Sequence, residues 1–293
     1  MTATIKQGVV VKSVGGVFTV CDADGVKTTC YSPKKLRYKS DDVIIGDVVR
    51  FDDLKKGKGV ITEVLPRKNK LSRPEVANVD VCLIVAAIEP QPDFYLVDKV
   101  LINCFQQGIE PVIVVNKTDL GSGVYERAVE NYSKVAEVIA VSATDNTADK
   151  LKKFFTDNKV VCFAGQSAVG KTSLLNALLP DVNGEVGGLS QKTGRGMHTT
   201  RHAMLHKLLD GFVVDTCGFS LLDVNDVRSS DLRLYLDDFV NVSRNCKYSS
   251  CTHTVEPDCA VKKAVEQCEI NADRYKRYVE EYNELVEAEK NKY

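Results

Sequence analysis

Apolar and polar residues alternate along the first 66 positions, as they do in strands that bury one face. Turn residues separate the alternating runs, among them Gly15-Gly16 and Asp24-Gly25. The pattern predicts about five short strands, enough to close a small β-barrel. We expect an OB-fold, a common nucleic-acid-binding barrel of this size; an SH3-like or other β-module is the alternative.

The period changes after residue 78. Residues 79–88 form a continuous apolar run, typical of a strand buried on both faces, and helix-like and strand-like segments then alternate to about residue 222. This alternation predicts a mainly parallel α/β sheet with helices on its faces. A basic stretch at 67–78 is interpreted as a linker before it. Beyond residue 222, apolar positions follow helical spacing at 228–242 and 258–290.

These changes of pattern predict three domains in 293 residues. An RNA-binding OB-fold is expected at 1–67, an α/β domain at 68–222 and a helical, metal-binding module at 223–293.

The charges are unevenly distributed along the chain. The formal net charge is −1, which excludes a histone-like polycation, yet residues 1–72 carry 14 Lys and Arg against 8 Asp and Glu. A basic first segment on an acidic body favours an anionic partner, such as nucleic acid, for the barrel.

Ten cysteines are scattered over the chain, which is typical of intracellular thiols and metal ligands rather than of a disulfide scaffold. The N-terminus lacks a signal-peptide pattern, and no apolar run approaches the ~18 residues that span a membrane. We therefore expect a cytoplasmic protein with no membrane partner.

A phosphate-binding motif lies at 165–172, where the sequence matches GxxxxGK[ST] between a predicted strand and a predicted helix. Its glycines let the loop wrap a phosphate, and its N–H groups point at the anion. Lys171 would hold the β- and γ-phosphates. A chance Gly-Lys-Thr at a turn is the alternative. The residues expected to bind nucleotide here are Gly165, Gln166, Ser167, Ala168, Val169, Gly170, Lys171, Thr172 and Ser173.

A second motif, Asn-Lys-Thr-Asp at 116–119, indicates which base is bound. Guanine presents N1–H and the N2 amino group on one edge, and the carboxylate of Asp119 can accept from both. Alone, the tetrapeptide could be a surface turn; beside a phosphate loop it is specific for guanine. The Ser-Ala pair after the next strand would add a backbone N–H contact. The predicted base-binding residues are Asn116, Lys117, Thr118, Asp119, Ser142 and Ala143.

Switch segments follow the phosphate loop. Asp215 begins Asp-Thr-Cys-Gly after a predicted strand, and Gly218 would sense the γ-phosphate by its N–H. The Gly-rich stretch 184–202 is a long loop of the kind that is usually functional. The predicted Mg²⁺ residues are Thr172, Thr199, Thr200 and Asp215.

The position after Asp-Thr-Cys-Gly is Phe219, where Ras-like enzymes place a water-orienting Gln. Phe cannot hydrogen-bond to water, so hydrolysis must be slow or another residue must help. His198 is the nearest polar candidate for a catalytic residue, and a surface histidine without a catalytic part is the alternative.

The order of the motifs is permuted relative to Ras-like proteins, because the guanine motif precedes the phosphate loop. Permutation moves the chain ends and leaves the sheet intact. The switch segments then lead straight into the C-terminal Cys/His region, and we hypothesise that GTP-driven change pulls on that region.

Three cysteines and a histidine lie within 14 positions near the C-terminus, a set that suits tetrahedral Zn²⁺. Buried free cysteines are the alternative, and Cys268 could replace one ligand, although it fits a helix face. Most other cysteines lie in apolar runs and are expected in the core. The predicted zinc ligands are Cys246, Cys251, His253 and Cys259.

Taken together, the motifs closely resemble the RsgA (YjeQ) family of small-ribosomal-subunit-dependent GTPases, over almost the whole chain. The resemblance rests on RKNKLSRP with VANVD, NKTD, GQSAVGKTSLLNAL, GRGMHTT, DTCGF and CKYSSCTHTVEPDCAV. It implies an OB-fold, a circularly permuted GTPase domain and a zinc module. In that family the histidine matching His198 is the proposed catalytic group. Cys217 stands where the family usually has Pro, and Met197 where a basic residue is usual.

The sequence therefore predicts a GTP hydrolase that acts as a late assembly factor or checkpoint of the small (30S) ribosomal subunit. The resemblance implies that the subunit and its rRNA are its partners and that the subunit stimulates hydrolysis. GTP or GDP, Mg²⁺ and one structural Zn²⁺ are the expected ligands, and we expect a monomer. A permuted GTPase of large-subunit assembly and an RNA-binding scaffold that uses GTP only as a switch are the alternatives.

Overall fold

The computed structural model describes residues 4–33, 42–72, 74–179, 204–215 and 227–291. The chain divides into two compact units. The first unit comprises Met1–Cys82, Ala148–Phe163 and Thr172–Phe219, and the second comprises Leu83–Thr147, Ala164–Lys171 and Ser220–Tyr293.

The first unit contains a closed barrel of five strands in the order β1-β2-β3-β5-β4. The strands are β1 (Thr4–Val14), β2 (Val17–Asp22), β3 (Lys27–Tyr31), β4 (Val48–Asp53) and β5 (Lys58–Val64). β1 pairs antiparallel with β4 and closes the barrel, while β3 and β5 run parallel. The inward positions of each strand supply the core, which contains Val10, Phe18, Val20, Cys30, Val49, Phe51 and Ile61. The predicted OB-like barrel is confirmed.

The stretch at 67–78 is not the linker that its charges suggested. It folds as a hairpin, in which β6 (Lys70–Ser72) pairs antiparallel with β7 (Glu75–Ala77). Leu71 and Val76 pair across it and are buried. Each of these strands has only three residues, too few for the alternation of apolar and charged positions to show a strand in the sequence.

Six further strands form the α/β sheet, in the order β10-β9-β8-β11-β13-β12. β9 pairs in parallel with β10, and β11 with β13, as predicted; β12 is the exception and runs antiparallel to β13. All residues of β8 and β11 are buried, in keeping with their continuous apolar sequences. The strands are β8 (Val81–Ala87), β9 (Glu110–Asn116), β10 (Glu137–Ala140), β11 (Val160–Ala164), β12 (Met204–Leu208) and β13 (Gly211–Asp215).

The helices of this region are α1 (Phe94–Gln107), α2 (Gly123–Tyr132) and α3 (Lys171–Leu178). Residues Thr147–Phe154, whose pattern is helix-like, form a 3₁₀ segment instead. None of the helices in the described ranges is long and apolar enough to cross a membrane.

After residue 227 the described chain is helical, but each predicted helix is divided. The first becomes a 3₁₀ segment, Ser229–Tyr235, followed by α4 (Asp237–Ser243), because Leu236 is extended. The second becomes α5 (Ala260–Glu266) and α6 (Ala272–Lys290). The side chain of Asn271 caps the start of α6 by accepting from two N–H groups of its first turn.

A buried ion network within the second unit holds α6 against α1 and α4. Arg274 is only 2% exposed and donates to Asp238 at 2.8 and 3.1 Å and to Asp98 at 3.2 Å. Arg277 donates to the other oxygen of Asp98. Burial raises the pKa of Asp98, and the two neighbouring guanidinium groups oppose that rise.

Candidate nucleotide site and metal centre

The phosphate loop joins the buried strand β11 to helix α3, as its sequence predicts. Gly165 has φ +126°, and a Cβ there would lie 2.2 Å from the carbonyl oxygen of Val85. Gly170 has φ +94°, and a Cβ there would lie 2.3 Å from the side-chain nitrogen of Asn116. Both positions therefore require glycine, for backbone conformation and for space. With Ala168 also left-handed at φ 64°, the loop has the curvature that lets successive N–H groups converge on an anion.

Lys171 lies at the start of α3 and folds back over the loop. Its Nζ donates to the carbonyl oxygens of Gly165 and Gln166, both at 2.6 Å. Burial lowers the pKa of Lys171. Thr172 and Ser173 follow in the first turn of the helix, and both are exposed. The ammonium group of Lys171 and the start of α3 are thus arranged as a phosphate-binding loop requires.

Two side chains of the base segment, residues 116–119, connect it to the phosphate loop. Asn116 is buried, and its Nδ2 donates to the carbonyl of Val169 at 2.8 Å. Lys117 donates from Nζ to the carbonyl of Ala168 at 3.1 Å and to that of Glu89 at 2.5 Å. Two segments about 50 positions apart in the chain are therefore held in contact by side-chain hydrogen bonds.

The base segment also contacts the Ser142 loop, residues 141–147, which follows β10. Because β9 and β10 run parallel, the residues after each strand meet at one edge of the sheet. Ser142 Oγ donates to Asp119 Oδ1 at 2.6 Å, and Thr118 Oγ1 donates to the carbonyl of Val141 at 3.0 Å. Asp119 itself is exposed, so its carboxylate is accessible to a ligand. The structure thus brings together Asn116–Asp119, Ser142, Ala143 and the phosphate loop.

Most of the predicted switch residues lie outside the part of the chain that the structure describes. Asp215 ends β13, and only its backbone is described. The other predicted switch residues lie outside the described residues: Met197, His198, Thr199, Thr200, Cys217, Gly218 and Phe219.

The four predicted metal ligands form one cluster in the second unit, with their ligand atoms all within 4.8 Å of one another. The Sγ atoms of Cys246 and Cys259 are 3.9 Å apart, and His253 Nδ1 lies 3.6 and 3.4 Å from them. Tetrahedral Zn²⁺ with Zn–S bonds of about 2.3 Å would hold its sulfurs about 3.8 Å apart. The donor set and spacing therefore fit a tetrahedral metal ion, and Cys268, which is exposed, is not part of this cluster.

Burial makes the uncharged forms of the ligands the stable ones when no cation is present. It raises the pKa of Cys251 to about 12, and burial followed by the field of Arg233 lowers that of His253 to about 4. A bound dication reverses this preference for the thiols and displaces their protons. The cluster is therefore suited to a cation whose charge is shared by several thiolates.

Three side chains that the sequence analysis did not identify as functional hold the metal loop, residues 246–259. Glu256 accepts from the N–H and hydroxyl of Thr252, both at 2.7 Å. From α6, Tyr275 donates to the carbonyl of His253 at 2.8 Å, and Tyr278 donates to that of Thr252 at 2.5 Å. Both tyrosines lie on the apolar stripe of α6 that the helical spacing at 258–290 predicts. Their hydroxyls gave no sequence signal because their partners lie more than 20 positions away.

A closed five-stranded barrel, a guanine-type base segment that precedes a phosphate loop in the chain, and a C-terminal Cys₃His cluster together define a circularly permuted GTPase. The sequence profile of the RsgA GTPase family matches residues 64–225. The chain belongs to this family, and it is accordingly a GTP hydrolase, which confirms the resemblance seen in the motifs.

Similar proteins cover nearly the whole chain. The small ribosomal subunit biogenesis GTPase RsgA of Shouchella clausii is 35% identical over 288 residues, which is 96% of this chain and 98% of that protein. The crystal structure of YjeQ from Thermotoga maritima is similar with a TM-score of 0.83 and 35% identity, covering 97% of this chain and 99% of that one. YloQ, described as a circularly permuted GTPase, has a TM-score of 0.84 and 30% identity, with coverage of 97% and 96%.

Proposed function

We propose that this chain hydrolyses GTP as a late assembly factor of the small ribosomal subunit and that the subunit stimulates the hydrolysis. One observation carries the proposal: the guanine-type base segment and the phosphate loop lie in contact in a chain whose full-length relatives are named for small-subunit biogenesis. The activity belongs to the family; the subunit as partner is what we infer for this chain.

The geometry of the described residues supports the proposed nucleotide roles. The Asp119 carboxylate would accept from N1–H and N2 of guanine, while Asn116 and Lys117 keep the base segment against the phosphate loop. The N–H groups of residues 165–173 would surround the phosphates. Lys171 would exchange its two carbonyl acceptors for phosphate oxygens, which offer a charged partner in place of neutral ones.

Hydrolysis requires a cation and an ordered water. Thr172, Asp215 and either Thr199 or Thr200 are proposed to hold Mg²⁺, and Gly218 to contact the γ-phosphate. His198 is proposed to orient the attacking water, because Phe219 cannot do so.

We propose Zn²⁺ for the Cys246, Cys251, His253 and Cys259 cluster, since three thiolates and an imidazole at this spacing suit that ion. When bound, the ion would supply a fixed cross-link for a loop-rich segment. It would take no part in hydrolysis.

The barrel is proposed to contact rRNA. Its β4–β5 turn presents three exposed lysines, Lys55, Lys56 and Lys58, on the basic first segment of the chain. Such a surface binds phosphates without sequence preference. A monomeric state and a cytoplasmic location complete the proposal.

The test is GTP turnover measured alone, with purified small subunits and with purified large subunits. We expect strong stimulation by small subunits only. Turnover that large subunits raise equally, or that small subunits leave unchanged, would contradict the proposed partner.

A separate test addresses His198. In His198→Ala we expect subunit-stimulated turnover to fall while GDP affinity is kept. Unchanged turnover would remove His198 from catalysis.

A further inference from the structure

The Ser142 loop contains a side-chain hydrogen-bond network that none of the predicted roles explains. Its centre is Thr147, five residues beyond Ser142. The inference below deepens the proposed function and rests on the assignment of Asp119 and the Ser142 loop to the guanine base.

The Thr147 hydroxyl has one proton and two short contacts. It lies 2.6 Å from Asp145 Oδ1 and 2.6 Å from the backbone nitrogen of Ser142. A carboxylate only accepts, so the hydroxyl donates to Asp145 and its lone pair accepts the Ser142 N–H. The N–H of Thr147 also donates to Asp145 Oδ1, at 3.0 Å, which fixes the rotamer of the carboxylate.

This arrangement decides which backbone amide of the loop is free for a ligand. The Ser142 N–H is already used, and the Ser142 hydroxyl is used by Asp119. The N–H of Ala143 makes no hydrogen bond to another described residue, and Ala143 is only half-buried. The amide of Ala143 is thus an open donor, and it directly follows Ser142, whose hydroxyl contacts the carboxylate that would bind N1 and N2 of the base.

We infer that Thr147 is a positioning residue for guanine specificity: its hydroxyl holds Ser142 so that the Ala143 N–H faces the O6 edge of the base. Thr147 touches no nucleotide atom and acts through the loop. The effect of substituting Thr147 on affinity should therefore depend on the atom at position 6 of the purine. If Thr147 only stabilised the fold, its substitution would weaken all guanine nucleotides equally.

The experiment compares GDP with 6-thio-GDP, which keeps N1–H and the N2 group but carries sulfur, a weak acceptor, in place of O6. In Thr147→Val, GDP affinity should fall about tenfold, which corresponds to the loss of one hydrogen bond, from the Ala143 N–H to O6. The affinity for 6-thio-GDP should change much less. The preference, defined as the ratio of GDP affinity to 6-thio-GDP affinity, should therefore decrease. Thr147→Ser keeps the hydroxyl and should restore the preference. Thr62→Val, which removes an exposed barrel hydroxyl that donates to a backbone carbonyl, should change neither affinity.

Asp145→Ala provides a second variant at an exposed position, should the valine variant fold poorly. It removes the acceptor of the Thr147 hydroxyl, so this hydroxyl is held less firmly. The preference for GDP over 6-thio-GDP should decrease as well, by a smaller factor. Equal losses for both nucleotides, or an unchanged preference in both variants, would overturn the inference. A wild-type chain that binds neither nucleotide would instead refute the assignment of the base site.

Discussion

The metal cluster lies in the second unit, and so do the base segment, the Ser142 loop and residues 165–171 of the phosphate loop. The two sites are built in opposite ways. The metal ligands come from one segment of the chain, residues 246–259, whereas the nucleotide site is assembled from three segments that the sheet brings together. In the nucleotide site the polar groups bond to one another: Asn116 to Val169, Ser142 to Asp119, and Lys171 to its own loop. In the cluster, by contrast, the sulfurs and the imidazole mainly contact one another.

This difference indicates which site depends on its ligand for structure. A site whose segments are already joined by hydrogen bonds should persist when it is empty. A cluster of buried thiols held a few ångströms apart gains its cohesion from the cation. We therefore expect the metal loop to loosen without metal and the nucleotide site to remain folded without nucleotide. Four variants test this contrast.

The largest effect is expected in Cys259→Ser, because Cys259 is a buried member of the cluster, a proposed metal ligand and the residue before α5. The cluster should lose its metal, and with it much of the roughly 10 kcal/mol that Zn²⁺ contributes to small sites. Metal analysis and limited proteolysis should show an empty cluster and cleavage within residues 246–259, with GDP affinity little changed.

The matched control is Cys268→Ser, an exposed thiol outside the cluster, which should keep its metal. If Cys259→Ser abolished GDP binding as well, the two sites would not be structurally independent.

The next effect concerns the helix that supports the metal loop. Arg274→Met leaves the half-buried Asp238 without its guanidinium partner. It also removes one of the two guanidinium partners of the buried Asp98. We expect a loss of about 3 kcal/mol in the free energy of unfolding, measured with denaturant. Because the cluster is local, the metal should be retained under native conditions.

Lys276→Met, at an exposed ion pair on the same helix, is the control and should cost little. A loss of metal in Arg274→Met at temperatures where the chain is folded would show that the cluster needs α6.

Asp119→Asn addresses the nucleotide site alone. The amide presents a donor where guanine also presents donors, so GDP affinity should fall about a hundredfold, the loss of a charge-assisted pair. Xanthine carries a carbonyl at position 2, which accepts from that amide, so XDP affinity should rise. Calorimetric titration with GDP and with XDP measures this change of base specificity.

Metal content should be unaffected in Asp119→Asn. Asp149→Asn removes an exposed carboxylate that pairs with Lys152, and it should leave both nucleotide affinities as they are. Equal weakening of GDP and XDP by Asp119→Asn would mean that residue 119 does not contact the base.

The smallest effect is expected in Glu256→Gln. Burial raises the pKa of Glu256, but hydrogen bonds from Thr252 and Thr254 outweigh it and lower the pKa from 4.5 to about 2. A lowered acid pKa gives stability that is present above pH 4.5 and is lost as the pH falls toward 2. Thermal melting should therefore show a modest deficit in the variant near pH 7 that shrinks across this range.

Acid also releases metal, but it does so in both proteins, so the difference between them isolates Glu256. Glu266→Gln, at an exposed position, should show no such difference. A deficit that stayed constant down to pH 2 would exclude Glu256 as the titrating group.

Local signals in the sequence were sufficient for much of this architecture. The Cys₃His spacing predicts the cluster because all four ligands lie on one short segment. The glycines of the phosphate loop are likewise local, since their conformations and close approaches demand that residue. The closed barrel follows from strand alternation and turn residues.

Features that depend on distant partners were not predictable. The hairpin at 70–77 is stabilised by Leu71 and Val76, which appear in the sequence as isolated apolar residues among charges. The antiparallel β12 follows from a tight turn into β13 rather than from its own pattern. The role of Thr147 depends on a hydrogen bond to Ser142 that only the folded loop shows.

The most direct test of the account measures the change from GTP to XTP specificity in the presence of small ribosomal subunits. With purified small subunits, the wild-type chain should hydrolyse GTP and not XTP, and Asp119→Asn should hydrolyse XTP and not GTP. That result would place subunit-stimulated hydrolysis at the site formed by the base segment and the phosphate loop. Equal GTP turnover by the two proteins would show that the hydrolysis occurs elsewhere and would contradict the account.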